Sequence, residues 1–543
     1  MSLPTPKIQR SLFEVPVLTG ELFTPDDRYC IFRQSILPEL WKSRDELAKL
    51  YCQDNGRPAT EPVLLLGVTL LQFMEKAPDR KAAENVRLHL GWKYALELDI
   101  ADEGFDHSRL SRFRDRLIEG GAERIGFDAL LGGLRRAGLV RRAGKQRLDS
   151  THVLGAVAKM SRLEVIRETV RLVLEEIRRA GAQGRLGCWA LLEARYLDSE
   201  VAWHRLGLSE LKVKYQQAGE DALELLEWLS KQPAKLREHS KAVLLQRVFD
   251  EQYELNGQTP KCRKSEASGV VKNPHDPDVQ WACKDQTKKK QWEGYKVQIA
   301  ESVAEDQGPK QKGEPTEQFV TEATTTEAIA SDLDGRERVE NNQREHGEGV
   351  ADELYVDAAY VTDDTLAKAH AQGRELMGPA RPSANPSGKD LFDATAFDVK
   401  VAQRKAVCPA GHESRQCSRL HIKQSGQVNY RFEWGSLCDD CALAGQCTRS
   451  RSGRRMLVVG EHHDELQQRR AEMQTEEFGK KMQQRNGIEG TISEFTRAGG
   501  RRTRYRSLIK TSLANYFQAA SMNAGRWIRL QQWECKKAQP IPA

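Results

Sequence analysis

Apolar and polar positions follow two rhythms along this chain, and the points where the rhythm changes divide it. Up to about residue 140 the spacing is helical. Thr60-Glu61-Pro62 supplies a cap and first turn for an apolar helix through Met74, and Asp79 caps a second carrying Val86, Leu90 and Leu96. Ser108 opens a third, in which Leu110, Phe113 and Leu117 face inward while Arg109, Arg112, Arg114 and Arg116 spread over the other faces. A helical bundle with one arginine-rich helix is a candidate DNA-binding module, although arginines on an exposed helix face are usually just solvated.

At Gln146-Arg-Leu-Asp149-Ser-Thr-His-Val153 the period drops to two, which predicts a short strand with Asp149 on one face. Helical spacing returns from Ser161 to about Tyr253, where Ser161 and Glu164 form a capping box and Leu163, Ile166, Val170, Val173 and Ile177 make the stripe. Beyond Pro260, Tyr295, Val297 and Ile299 alternate with polar neighbours. A polar loop, Glu305 to Glu317, leads to a second strand at Phe319-Val-Thr-Glu-Ala-Thr. A helix from about Thr326 to His346, a strand Glu353–Tyr360 that contains Asp357, a further helix and a short strand at Glu375-Leu-Met-Gly complete the order. The last helix of interest carries Ile488, Ile492 and Phe495 on one stripe, with Arg485 and Glu489 four residues apart beside it. Only the tail after Trp533 reads as disordered.

Composition narrows the class without naming it. Charged residues make up 30% and hydrophobic ones 39%, ordinary for a soluble globular protein, and the 543 residues suffice for several domains. The net charge of +6 is too small to mark a nucleic-acid binder by itself, so clustering has to carry that signal. No apolar leader region opens the chain, and Pro62 to Phe73 is too short to span a bilayer, which needs about 20 residues. Reduced cysteines inside the cell are therefore expected.

The chemistry concentrates in three acids and one basic run. Asp is depleted in strands, so Asp149 in mid-strand needs a reason. Asp149 and Asp357 on neighbouring strands, with Glu489 on a late helix, make a set of hard oxygen donors able to hold two Mg2+ ions, and paired metals stabilise both oxygens of an in-line phosphoryl displacement. Glu494 is the rival for the third position, but it rotates away from Arg485. Between Thr496 and Lys510 lie six basic residues, Arg497, Arg501, Arg502, Arg504, Arg506 and Lys510, and no acidic one, a pattern suited to phosphates.

Five of the eleven cysteines fall between Cys408 and Cys447. Cys408-Pro-Ala-Gly-His412, Cys438-Asp-Asp-Cys441 and Cys447 have spacings that suit tetrahedral Zn2+, with Cys417 or His412 as substitutes and Ser425-Gly426 as a hairpin tip between them. Reduced thiols packed as small apolar groups would give the same sequence. Residues 400 to 450 hold few large apolar side chains, chiefly Leu420, Ile422, Phe432 and Trp434, so this stretch is not expected to order itself by burial alone.

Asp149-Ser-Thr, Gly294-Tyr295-Lys296, Tyr355-Val-Asp357-Ala-Ala-Tyr360 and Arg485-x3-Glu489 resemble, in order, the segments of DDE transposases of bacterial insertion sequences. Gly56-Arg-Pro with Phe113-Arg-Asp-Arg-Leu117 resembles the helical domain preceding their core. The chain departs from the pattern at Met482, Thr496 and Ala359, where the family often has Tyr, Lys and Gly. The resemblance implies an α/β fold with a ribonuclease-H-like mixed sheet. It implies a helical DNA-binding domain over 1–140 and a catalytic domain over 141–535, with a helical insertion at 160–258, a Cys-rich insertion at 400–455 and a tail at 536–543. It implies that Asp149, Asp357 and Glu489 bind Mg2+ or Mn2+, two per site, and that Arg485 lies one turn before the Glu. The implied activity is cleavage at transposon ends and transfer of the 3′-OH into target DNA, in a bacterial cytoplasm at the nucleoid, by a homodimer on double-stranded DNA with no membrane partner. A nuclease of the same fold and an inert DNA-binding relative are the alternatives.

Overall fold

The computed structural model describes residues 2–538 apart from 5–11, 20–21, 53–54, 199–206, 266, 285–290, 305–312, 384–390 and 423–425. Parts of three expectations therefore lie outside the described residues: most of the Glu305–Glu317 loop, Ser425 of the hairpin tip, and positions 539–543 of the tail.

The first and third early helices form where the spacing puts them, but the second ends at Leu88, and Leu90 opens a separate helix, Leu90–Ala95, capped by His89. The helix Pro62–Met74 starts with Glu61 accepting from the Val63 N–H, and nearly all of it is buried. Asp79 is the first residue of its helix rather than its cap. Its carboxylate instead accepts from Gln72 Nε2 at 2.7 Å and from Arg114 Nη2 at 2.5 Å. That pairing buries Arg114, which the periodicity places among the outward-facing arginines of the helix Ser108–Glu119. The inward positions Leu110, Phe113 and Leu117 are buried as expected.

Strand β1, Gln146–Leu154, is the centre of a mixed sheet. A small hairpin, β2 Tyr253–Asn256 with β3 Thr259–Cys262, follows the helical insertion. The sheet continues with β4 Gln280–Cys283, β5 Gln291–Ser302, β6 Val320–Glu327, β7 Glu353–Tyr355 and β8 Glu375–Met377. Its order runs β6-β5-β1-β7-β8, with β4 also on β5; β1, β7 and β8 are mutually parallel and the remaining pairs antiparallel. Four of these strands were expected close to their observed positions. The strand expected over Glu353–Tyr360 stops at Tyr355, because Asp357 Oδ1 accepts from Ala359 N–H at 2.7 Å and turns the chain. The helix expected from Thr326 begins only at Asp332, behind a Ser331–Asp334 capping box, because the β-branched run Thr324–Thr326 extends β6 along β5. Gly294 has φ +154° where β1 ends against β5; a Cβ there would lie 2.0 Å from the Val153 carbonyl oxygen.

The helix Leu508–Ala538 lies across β6 and joins it to the N-terminal helices. Asn523, fully buried, accepts from Val320 N–H and donates to Val320 C=O, both at 2.8 Å. Phe517 packs on Phe73 with ring centroids 5.6 Å apart, and Tyr516 on Phe127 at 5.7 Å. One apolar core thus runs from the N-terminal helices through this helix to β5 and β6 and across the 140 boundary. The same helix continues to Ala538, so residues 534–538 are ordered, contrary to the reading of a loose tail.

The helical insertion has its own core, from Leu163 on the helix Arg162–Arg179 to Val248 on Ser240–Gln252. So does the Cys-rich segment. There β9 Asp398–Lys400 pairs with β10 Lys405–Val407, and β11 Gln416–His421, β12 Val428–Glu433 and β13 Met456–Gly460 form a second small sheet. Phe397, Leu457 and Val459, just outside the 400–450 window, complete a core with Tyr430, Phe432 and Trp434. The segment therefore has a larger apolar core than residues 400–450 alone supply.

Candidate active site

Strand register brings the two aspartates abreast. β1 and β7 are parallel with Arg147 opposite Tyr355. Asp149 and Asp357 lie two residues further along their respective chains, near the end of the shared edge, where connections diverge and open sheets bind ligands. Burial raises the Asp149 carboxyl above the ordinary carboxylate range. The Ser150 N–H (2.7 Å from Oδ1) and Arg485 pull it down, and the charge of Asp357 pushes it up.

The third acid reaches this pair through an arginine. Ile488 and Phe495 of the helix Gly487–Phe495 are fully buried, which leaves Glu489 at the helix edge. Arg485 Nη2 donates to Asp149 Oδ2 at 2.9 Å, and its Nη1 stands 3.8 Å from Glu489 Oε1. The Glu489 side chain is 74% exposed, so it sits at the mouth of the site. Glu494, the rival, is held by Arg526 at 2.6 Å and Arg529 at 3.2 Å on the other side of the helix.

Arg147 was missed by sequence reasoning, though its place two residues before Asp149 on the same strand face was a signal. Its Nε donates to the buried Glu301 at 2.6 Å, and its Nη1 donates to the Gln484 carbonyl at 2.9 Å, just ahead of the Glu489 helix. A Cβ on Gly487 would strike this guanidinium, so a side chain there would push Arg147 from its partners. Arg526 closes the network on Glu301 at 2.5 Å. On the opposite face of β1, Ser150 donates to Asp332, which also pairs with Lys296 at 3.3 Å.

The basic residues divide. Arg501 donates to Thr151, to His152 Nε2 at 2.8 Å and to the His152 carbonyl, while backbone bonds tie its segment to Leu154. Burial, with Arg501 and Lys284 nearby, pushes His152 down to about 4, so the ring is neutral and free to accept that bond. Lys510 pairs with Asp115 at 2.7 Å and Arg109 donates to Thr60. Arg497, Arg502, Arg504, Arg506 and Arg112 are exposed.

Three carboxylates suit a hard divalent cation. Among the described residues, however, no three His, Cys, Asp or Glu side chains already stand in coordinating spacing, so Glu489 would have to turn inward. In the Cys-rich segment, Cys408, Cys438, Cys441 and Cys447 line one small cavity together with His412, while Cys417 is outside it. Burial, together with the other three thiols, raises the Cys447 thiol against the pull of Arg455.

Residues 407–528 match the family described as a transposase DDE domain, and residues 19–116 match a transposase domain of the DUF772 family. No curated protein and no solved structure matches the chain. A transposase DDE domain points to nucleotidyl transfer in general, transposase families imply DNA as a partner, and DDE transposases generally use divalent metals such as Mg2+. Both matches are to transposase domains, which supports the resemblance to DDE transposases of insertion sequences. The DDE match covers Arg485 and Glu489 but begins after Asp149 and Asp357, so those two acids rest on the geometry above. No helix of the described residues is long and apolar enough to cross a membrane.

Proposed function

We propose that this protein cleaves DNA at transposon ends and joins the freed 3′-OH to target DNA, using Asp149, Asp357 and Glu489 on a ribonuclease-H-like sheet. The observation that carries the reading is the joining of Asp149 to Glu489 through Arg485, with Asp357 abreast of Asp149 on the parallel strand. Bound to these acids, a pair of Mg2+ ions would supply Lewis-acid stabilisation of the attacking and leaving oxygens. The chain's own residues do the rest. The three carboxylates hold the reacting phosphate's site at the sheet edge, and Arg147 fixes the Glu489 helix against β1. The exposed Arg502, Arg504 and Arg506 grip the backbone of the duplex, Arg112 of the N-terminal helices adds to that grip, and two copies act together on paired ends.

The test is cleavage and joining of an end-containing duplex. Mg2+ or Mn2+ should be required, and Asp149→Ala, Asp357→Ala and Glu489→Ala should each abolish both steps while the circular dichroism spectrum is retained. Full activity in EDTA would remove the metal-dependent reading, and cleavage without joined product would leave a nuclease of the same fold.

A further inference from the structure

The Cys-rich segment has no part in the chemistry proposed above, yet its thiols are arranged rather than scattered. Cys408 begins a tight turn in which its N–H donates to the His412 carbonyl at 2.9 Å and its carbonyl accepts from Gly411 at 2.8 Å. Trp434, buried, fixes the same turn by donating from Nε1 to the His412 carbonyl at 2.8 Å. Cys438 and Cys441 lie on a second turn, where Cys441 N–H reaches the Cys438 carbonyl, and Cys447 ends the short helix that follows. These two turns and the helix close on one cavity of about 20 Å³ lined by all four cysteines. Arg455, buried at its rim, donates to the Cys447 carbonyl at 3.2 Å.

We propose that Cys408, Cys438, Cys441 and Cys447 bind one structural Zn2+ ion. Four soft thiolates select zinc or an iron–sulfur cluster. The cavity is close to the volume of one water, which favours a single ion over a cluster of iron and sulfide. A tetrathiolate zinc site carries two negative charges, and Arg455 brings compensating positive charge to its edge. Since no three of the described ligand-type side chains already stand in coordinating spacing, loading draws the two cysteine turns together. The β11–β12–β13 sheet, which has its own core, holds those turns within reach, so the ion tightens the loops and does not build the fold. This site is independent of the proposed reaction, and its test needs no activity.

The full-length protein, purified without chelators, should contain about one zinc and negligible iron per chain. A thiol-specific mercurial added to the native protein should release that zinc to a chromogenic chelator in step with loss of the four thiols. Cys438→Ser with Cys441→Ser should lose the zinc and gain protease cleavage between residues 408 and 447, while the N-terminal helices stay intact; Cys417→Ser should keep the zinc. The mercurial experiment on the unmodified protein stands even if the double variant misfolds. Protein free of zinc, protein that carries iron instead, zinc that stays bound as the thiols react, or zinc lost in Cys417→Ser would each overturn the assignment.

Discussion

Arg485 Nη2 donates to Asp149 Oδ2 at 2.9 Å, and the same guanidinium extends Nη1 toward Glu489. One cation on the protein therefore stands between two of the acids that the proposed chemistry needs. It helps keep Asp149 ionised against burial, the dominant influence on that carboxyl, and against the nearby Asp357.

Removing that cation should shift the pH dependence in a defined direction. Arg485 favours the ionised form of Asp149, so without it the carboxyl gives up its proton at a higher pH. In Arg485→Gln the acid limb of metal-dependent cleavage, measured on saturating DNA, should move to higher pH. A limb that stays put or moves down would mean that Arg485 does not act on Asp149.

The same carboxyl should cost the fold stability. Its pKa is raised on folding, so its contribution is most favourable at low pH and is lost as pH rises through the folded-state value. Asp149→Asn should therefore melt higher than the unsubstituted protein at neutral pH in EDTA, and the gap should shrink on acidification. The weakened pairing with Arg485 opposes this gain but is the lesser influence. Equal melting temperatures across the pH range would contradict the argument.

The two candidate glutamates should separate cleanly. Glu489 is exposed and loosely paired, so Glu489→Gln should change stability by no more than about 1 kcal/mol while abolishing cleavage. Glu494 belongs to the Arg526–Glu301–Arg147 network, where Glu301 is buried; Glu494→Gln should cost stability, about 1–3 kcal/mol for weakened charged hydrogen bonds, and leave cleavage largely intact. Urea denaturation beside a cleavage assay decides it, and the reverse pattern would make Glu494 the third acid.

The basic run should behave as two classes. Replacing the exposed Arg502, Arg504 and Arg506 with Gln should weaken binding to any duplex and flatten the dependence of log K on log salt by about 0.9 unit for each phosphate no longer neutralised. Arg501→Gln should instead destabilise the protein, because its guanidinium is spent on Thr151 and His152 of β1. A salt slope unchanged in the triple variant would make the run a solvated face.

Much of this site was legible in the sequence because the signals were local. Asp149 in mid-strand violates β-propensity, and Ile488 and Phe495 show which side of the helix is core, so the position of Glu489 follows. Arg114 and Arg501 could not be read the same way. Their partners, Asp79 on another helix and His152 on β1, are set by tertiary packing, and an arginine on an open face has the same local pattern as one folded onto an acid. Strand β4 has only four residues, too few for alternation to show. The core of the Cys-rich segment was underestimated because six of its nine buried residues, Phe397, Val399, Val401, Ala406, Leu457 and Val459, lie outside the span Cys408–Cys447 that drew attention to it.

The buried Asn523 clamp and the Phe517–Phe73 stack also set an order of events during synthesis. The N-terminal helices leave the ribosome first, but the partner that closes their apolar faces is the 31-residue helix beginning at Leu508. At about 5–20 residues per second, translating the stretch between them takes on the order of tens of seconds. During that interval Phe73 and Phe127 lack the Phe517 and Tyr516 rings that pack on them in the finished fold. The arginine-rich helix Ser108–Glu119 also touches this late helix, through Lys510 on Asp115, and gains that contact only when nearly all the described chain has been made.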